Sequence, residues 1–249
     1  MYSFAAALVH VSRPHIWLYT VGPFSFGILA AIAGGSTPPM AWSVAALLVM
    51  TIPINLFIYG LNDYCDATTD AKNPKKSQLE YRAHTREYRL LWIALIGLVL
   101  TLPVLREANT SVLLLCVLWF VLIITYNVPP LRFKARPGLD LLLACTYPLL
   151  GIISYTMVVG QMPSWIAYIP IALLSVSFHV YSAIHDMPHD RADGVITTAL
   201  WLESANRALW LCVWCAFGAA ASFLWSGWWP VALFLLPYAA FLQDQIYDT

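Results

Sequence analysis

Two acidic clusters are the residues of this chain best suited to chemistry. The first is Asn62-Asp63-Tyr64-Cys65-Asp66-Ala67-Thr68-Thr69-Asp70, and the second is Asp186-Met187-Pro188-His189-Asp190-Arg191-Ala192-Asp193. Read as helix, Asp63, Asp66 and Asp70 fall at i, i+3 and i+7, and Asp186, Asp190 and Asp193 at i, i+4 and i+7, so each set shares one face. Carboxylates are costly in or beside hydrocarbon and persist there mainly where they bind something. Two such faces converging at one membrane boundary would make a divalent-metal site, and the metals would make a diphosphate site. Mg²⁺ is the natural candidate, because it is hard and usually takes one or two carboxylates plus substrate phosphate and water. One cluster alone would read as solvated loop carboxylates; the pair, with basic residues interleaved, favours a site. Lys72, Arg132, Lys134 and Arg191 are placed to balance the remaining phosphate charge, although some Lys and Arg here serve only as loop anchors.

The elements that must position these groups are membrane helices. The chain has 249 residues, 60% hydrophobic and only 10% charged, with mean hydropathy +0.70, whereas a soluble globule carries about 25% charged residues. Net charge is zero, with no basic patch beyond short loops, so nucleic acid is not an expected partner. Cys212 and Cys215 form a CxxC inside an apolar run, which reads as small packing residues and not as a redox or zinc pair. Residues 1–11 lack the positive start of a cleavable leader, and the apolar stretch after Arg13 is long enough to span.

At roughly 20 apolar residues per span, eight membrane helices are expected: His15–Ala33, Ala41–Leu61, Tyr88–Leu105, Ser111–Val128, Leu139–Gly160, Trp165–His185, Asn206–Trp225 and Trp228–Gln243. The expected fold class is all-α, a polytopic helix bundle around a central cavity, in a single domain over residues 1–249. Alternating sides puts twelve of the 13 Lys and Arg on one face, with Arg106 the exception. The positive-inside rule makes that face cytoplasmic, with both termini and both acidic clusters. The clusters follow the second and sixth helices, which suggests a duplicated four-helix unit. Pro188 argues that the sixth helix ends or kinks inside the second cluster.

These residues carry a family resemblance. Asn62-Asp63-x-x-Asp66-x-x-x-Asp70 resembles the first aspartate-rich motif of the UbiA superfamily of intramembrane prenyltransferases. Asp186-x-x-x-Asp190-x-x-Asp193, followed by Gly194-Val195-Ile196-Thr197-Thr198-Ala199, resembles the second. Tyr126-Asn127-Val128-Pro129-Pro130-Leu131-Arg132-Phe133-Lys134 is similar to the segment after the fourth helix of many members, and Arg13-Pro14-His15 to the Arg-Pro that opens their first helix. The run from Tyr59 through Asn73-Pro74-Lys75-Lys76 is most similar to the lycopene elongase branch, whose members extend a carotenoid with a five-carbon allylic unit.

The resemblance implies a mechanism. Asp63, Asp66, Asp70, Asp186, Asp190 and Asp193 would hold Mg²⁺ bridging the diphosphate of an allylic donor, with dimethylallyl diphosphate the first expectation. Asn62 is either a neutral ligand or the group that orients Asp66. Lys72, Arg132, Lys134 and Arg191 would contact phosphate oxygens, so charge stabilises the leaving diphosphate. The allylic cation needs a dry cavity, with Tyr126 as first choice for a cation–π wall and Tyr59 and Tyr181 next. The acceptor is expected to be lipophilic, a carotenoid such as lycopene. His179, His185 and His189 are weighed as bases or ligands against plain polar residues at a helix end; His10, His15 and His84 carry less weight.

Two departures stand out. Family members usually have nine membrane helices, where eight are counted here. A missing ninth would open the bundle to lipid, unless two have been merged. The segment Ala71–Glu87 is short for the family's capping loop, with Ser77–Arg89 a brief amphipathic lid. Competing readings are prenylation of an aromatic acceptor, a membrane terpene cyclase or diphosphate hydrolase, and, outside catalysis, an ion-coupled transporter. Transport sites lie near the midplane, whereas these acids cluster at one boundary.

Overall fold

The structure, a computed structural model, describes residues 4–70, 88–101, 108–225, 235, 238 and 240–242. The helices are α1 (Phe4–Ser12), α2 (Leu18–Ala33), α3 (Met40–Val49), α4 (Ile52–Asp70), α5 (Tyr88–Thr101), α6 (Thr110–Asn127), α7 (Leu142–Val159), α8 (Tyr168–Asp193), α9 (Thr198–Trp201) and α10 (Ala205–Trp225). No strand occurs among the described residues. Among the described residues, five stretches are long and apolar enough to cross a membrane, and a sixth is added if the pair Leu8–Ile16 and Leu18–Ala33, bent by 64°, counts as one. The chain is thus an all-α, multi-pass integral membrane protein. The eighth expected span, the Ser77–Arg89 lid, Lys72 and Arg106 lie wholly or largely outside the described residues.

Prolines explain where the helices depart from the sequence expectation. The first span opens with a break: Pro14 begins a short 3₁₀ turn, Pro14–Ile16, and Arg13 ahead of it leaves the helical region, which proline disfavours in the preceding residue, for the left-handed one at φ 51, ψ 69. In the second span, α3 and α4 part at Met50 and Thr51, just before Pro53. Asn55 repairs the freed backbone there, its Nδ2 donating to the carbonyls of Met50 (3.0 Å) and Thr51 (2.5 Å), while Thr20 Oγ1 donates to Met50 O at 2.7 Å. Both side chains are fully buried, so the donors they turn on this backbone bond to protein and not to water.

Pro188 does not end its helix. Neither cluster sits in a loop: α4 runs through Asp70, and α8 continues through Pro188 to Asp193. An interior proline forfeits one backbone bond, which membrane helices tolerate. The stop comes instead at Gly194, in the left-handed region at φ 68. There Val195 N donates to Asp190 O at 2.9 Å and closes the helix end.

The chain divides into two compact units. The first comprises Met1–Val128 and Leu149–Met162. Glycines let its helices meet backbone to backbone. A Cβ on Gly27 of α2 would overlap Gly151 O and Ser154 Oγ of α7, and one on Gly97 of α5 would stand 2.7 Å from Phe57 N of α4. Ser154 Oγ donates to Phe24 O at 2.7 Å across the first of these contacts. This unit also holds a partly open apolar pocket of about 40 Å³, lined by Phe24, Met50, Ile54, Trp119, Phe120 and Met157 among others. The outer face of α6 exposes Leu114, Val117 and Val121, as lipid contact requires.

The second unit comprises Pro129–Pro148 and Pro163–Thr249. Its core packs α8 on α10 around Val180, Leu209, Cys212, Val213 and Ala216. Ser177 Oγ donates to Cys212 O at 2.8 Å. Both CxxC cysteines are buried, and Cys212 belongs to this apolar core, consistent with packing.

Candidate active site

The first cluster is built on the last three turns of α4, where Asp63 and Asp66 are buried. Asp63 is not a bare carboxylate. Arg13 Nη2 donates to its Oδ1 at 2.5 Å, with both side chains buried. The same guanidinium lies 4.6 Å from the ring centroid of Tyr59, one turn earlier on α4. Tyr59, a second choice for the cation wall, therefore presents a face to arginine. The left-handed turn at Arg13 is what brings that side chain back onto α4. Asn62 Nδ2 donates to Asn127 Oδ1 at 2.9 Å, and Asn127 Nδ2 donates to Ile123 O at 3.0 Å. Asn62, expected to act as a ligand or to orient Asp66, is thus fixed to the end of α6. Tyr126, beside Asn127, is half-buried. Asp70 is the last residue of α4.

The second cluster is built on the last turns of α8. Asp186 and Asp190 are half-buried, while Arg191 and Asp193 are exposed. The helical register places His179 on the face of Asp186 and Asp190. It lies within electrostatic reach of Asp140. Tyr181, by contrast, is packed: it meets His185 edge-on at 5.1 Å and Phe241 at 5.9 Å. The segment after α6 holds the basic residues. Arg132 sits in the left-handed region at φ 37 and opens a 3₁₀ turn, Phe133–Ala135, in which Lys134 is buried. Arg136 Nη2 donates to Pro130 O at 2.9 Å.

One residue that sequence reasoning left aside joins these parts. Asp140 is 1% exposed. Its Oδ2 accepts from Thr198 N at 2.8 Å, and its Oδ1 accepts from Thr198 Oγ1. Gly138 N donates to Thr198 Oγ1 at 2.7 Å. The neighbouring Thr197 precedes α9, accepts a long 3.4 Å bond from Leu200 N, and donates to Asp190 Oδ2 at 3.3 Å. A signal for Asp140 was present, since it is the only acid between Glu107 and Asp186 and a lone acid in apolar sequence asks for a reason. Asn127 lay inside a quoted motif, but its partner could not be read from spacing.

The donor chemistry suits Mg²⁺. Among the described residues no three His, Cys, Asp or Glu side chains gather closely enough to cage a metal. What each helix offers is carboxylate oxygen in small number, the pattern of a metal that completes its shell with phosphate and water.

The family model for the UbiA prenyltransferase family matches residues 20–248. This chain belongs to that family. It is 35% identical over 224 residues to a lycopene elongase/hydratase of Haloarcula japonica, covering 89% of this chain and 75% of that protein. It is 36% identical over 208 residues to one of Halobacterium salinarum, covering 81% and 73%. Among solved structures it resembles a UbiA homolog from Archaeoglobus fulgidus bound to DMAPP and Mg²⁺, with TM-score 0.76 and 18% identity over 96% of this chain and 87% of that one. An apo UbiA homolog from Aeropyrum pernix K1 gives TM-score 0.74 and 17% identity over 94% and 90%. The structural likeness establishes the fold, and the sequence relatives establish the branch. This UbiA-family chain is a prenyltransferase of the lycopene elongase branch, which sets the transporter reading aside.

Proposed function

We propose that this prenyltransferase moves an allylic prenyl group from its diphosphate to a carotenoid such as lycopene, in a Mg²⁺-dependent reaction within the membrane. The observation that carries this reading is the pair of helix-borne carboxylate sets, the first of them held by buried Arg13, in a chain whose relatives are lycopene elongases/hydratases. Asp63, Asp66, Asp70, Asp186, Asp190 and Asp193 would hold the metal. Bound there, it would neutralise charge on the departing diphosphate. Lys72, Arg132, Lys134 and Arg191 bind phosphate oxygens, with Arg132 and Lys134 held in place by their 3₁₀ turn. Asn62 fixes the first cluster to α6, where Tyr126 turns its ring toward the allylic cation. The acceptor double bond attacks that cation, and loss of a proton completes transfer. Apolar walls such as those around Trp119 and Phe120 keep water from the cation. Residues 1–249 act as one catalytic domain. We place the chain in a prokaryotic plasma membrane, with the aspartate-bearing helix ends and both termini cytoplasmic.

The test uses purified protein in nanodiscs with dimethylallyl diphosphate, Mg²⁺, and either lycopene or a small aromatic acid, following diphosphate release and product mass. A lycopene product heavier by one or two five-carbon units, lost in Asp66→Ala, is the expected result. An adduct with the aromatic acid alone would move the acceptor. Diphosphate release with neither acceptor modified would point to a cyclase or hydrolase.

A further inference from the structure

Asp140 has no part in the reaction as derived above, yet it is among the most deeply buried carboxylates described, at 1% exposed. Burying a carboxylate is costly unless its oxygens are satisfied, and an apolar pair of similar volume would often serve stability as well or better. Both of its oxygens are spent on one residue, Thr198, through the backbone N–H at 2.8 Å and through the hydroxyl. That hydroxyl in turn accepts from Gly138 N at 2.7 Å. The arrangement ties together segments 58 residues apart. One segment carries Arg132 and Lys134. The other leaves α8 at Gly194 and returns as α9. The residue next to the clamped Thr198 is Thr197, whose hydroxyl donates to Asp190 Oδ2 at 3.3 Å. Fixing Thr198 therefore fixes the donor that orients Asp190.

We propose that Asp140 is a positioning residue for the second acidic cluster, acting through Thr198 and Thr197 to aim the Asp190 carboxylate at the metal. This rests on the reading that Asp190 holds metal. Partners one bond removed from a metal ligand typically govern affinity by 10–100-fold when lost. The effect of Asp140 should therefore appear in metal binding itself, before any turnover.

The experiment measures Mn²⁺ binding by electron paramagnetic resonance on the full chain in nanodiscs, with inorganic pyrophosphate present. Asp140→Ala and Thr197→Val should each weaken Mn²⁺ binding by about tenfold or more. The double variant should be little weaker than either single one, because both cut the same path. Asp140→Asn, which can still accept from Thr198 N, should recover part of the affinity, and Thr197→Ser most of it. Should Asp140→Ala fail to fold, Thr197→Val and its Ser rescue carry the test alone. Wild-type affinity in folded Thr197→Val, or strictly additive losses in the double variant, overturns the proposal and leaves the proposed function standing. Wild-type protein that binds no Mn²⁺, or an Asp190→Ala variant that binds it normally, overturns both.

Discussion

The two acidic clusters reach similar places in sequence by opposite physical means. On α4, Asp63 is buried and held by a cation, Arg13, at 2.5 Å. On α8, Asp190 is half-buried and held by a neutral hydroxyl, that of Thr197, at 3.3 Å. A carboxylate locked to arginine has much of its charge already answered, whereas one oriented by a hydroxyl keeps its full charge for a ligand. The difference teaches that shared motif chemistry need not mean shared roles. On the proposed reading, Asp63 would therefore give less of its charge to the metal than Asp190 does.

The sharpest way to break that comparison is to remove one carboxylate from each side. Asp66→Ala and Asp190→Ala should each lower diphosphate release by at least about a hundredfold, with little change in unfolding midpoint. If Asp63→Asn proves equally inactive while its fold is intact, the division of roles fails.

Next in size is the ion pair. Arg13→Ala leaves a buried carboxylate uncompensated and should destabilise the first unit by about 3–5 kcal/mol, read as a lowered unfolding midpoint in detergent. The double variant Arg13→Met/Asp63→Leu should recover most of that stability without recovering activity. A double variant as unstable as the single one would show that the pair is not what Arg13 contributes.

Smaller effects follow from the polar link and the close packing. Asn127→Ala strips Asn62 of its partner and should cost about 1–3 kcal/mol, with a rise in the donor KM exceeding the fall in kcat. Gly97→Ala forces a methyl onto the backbone of α4 and should cost about 1–3 kcal/mol, leaving KM unchanged. Smallest of all, exposed Arg191→Gln should raise the donor KM a few-fold, the effect shrinking as salt is added. A salt-independent change would mean that Arg191 is more enclosed than its exposure implies.

Much of this was legible in the sequence, for identifiable reasons. The fold class follows from hydropathy, and the aspartates announce themselves because acids are rare in such a chain. The helical spacing of both clusters is borne out, since α4 and α8 carry them as helix. Spacing could not show that Pro188 would be passed over, because the cost of one lost backbone bond is settled by surroundings that local sequence does not contain. Nor could it show that Arg13 would fold back onto Asp63, 50 residues away, or that Asp140 would find Thr198. These are pairings between distant segments, set by tertiary packing. The break at Met50–Thr51 was hidden for the opposite reason, because an unbroken apolar run masks it until Pro53 is weighed together with Asn55.

The uninterrupted course of α8 has a consequence of scale. Its 26 residues make a rod of about 39 Å at 1.5 Å per residue, against a hydrocarbon layer of about 30 Å. Roughly six residues' worth of that length exceeds the layer, and the end that hydrocarbon tolerates least is the charged one, with Asp190 and Asp193. A prenyl diphosphate is itself a molecule of two phases, with a head that belongs in water and a tail that belongs in oil. A single rigid rod crossing the phase boundary acts as a depth gauge for such a molecule. It can hold the head at the waterline while the tail, and the bond to be broken next to it, stays below.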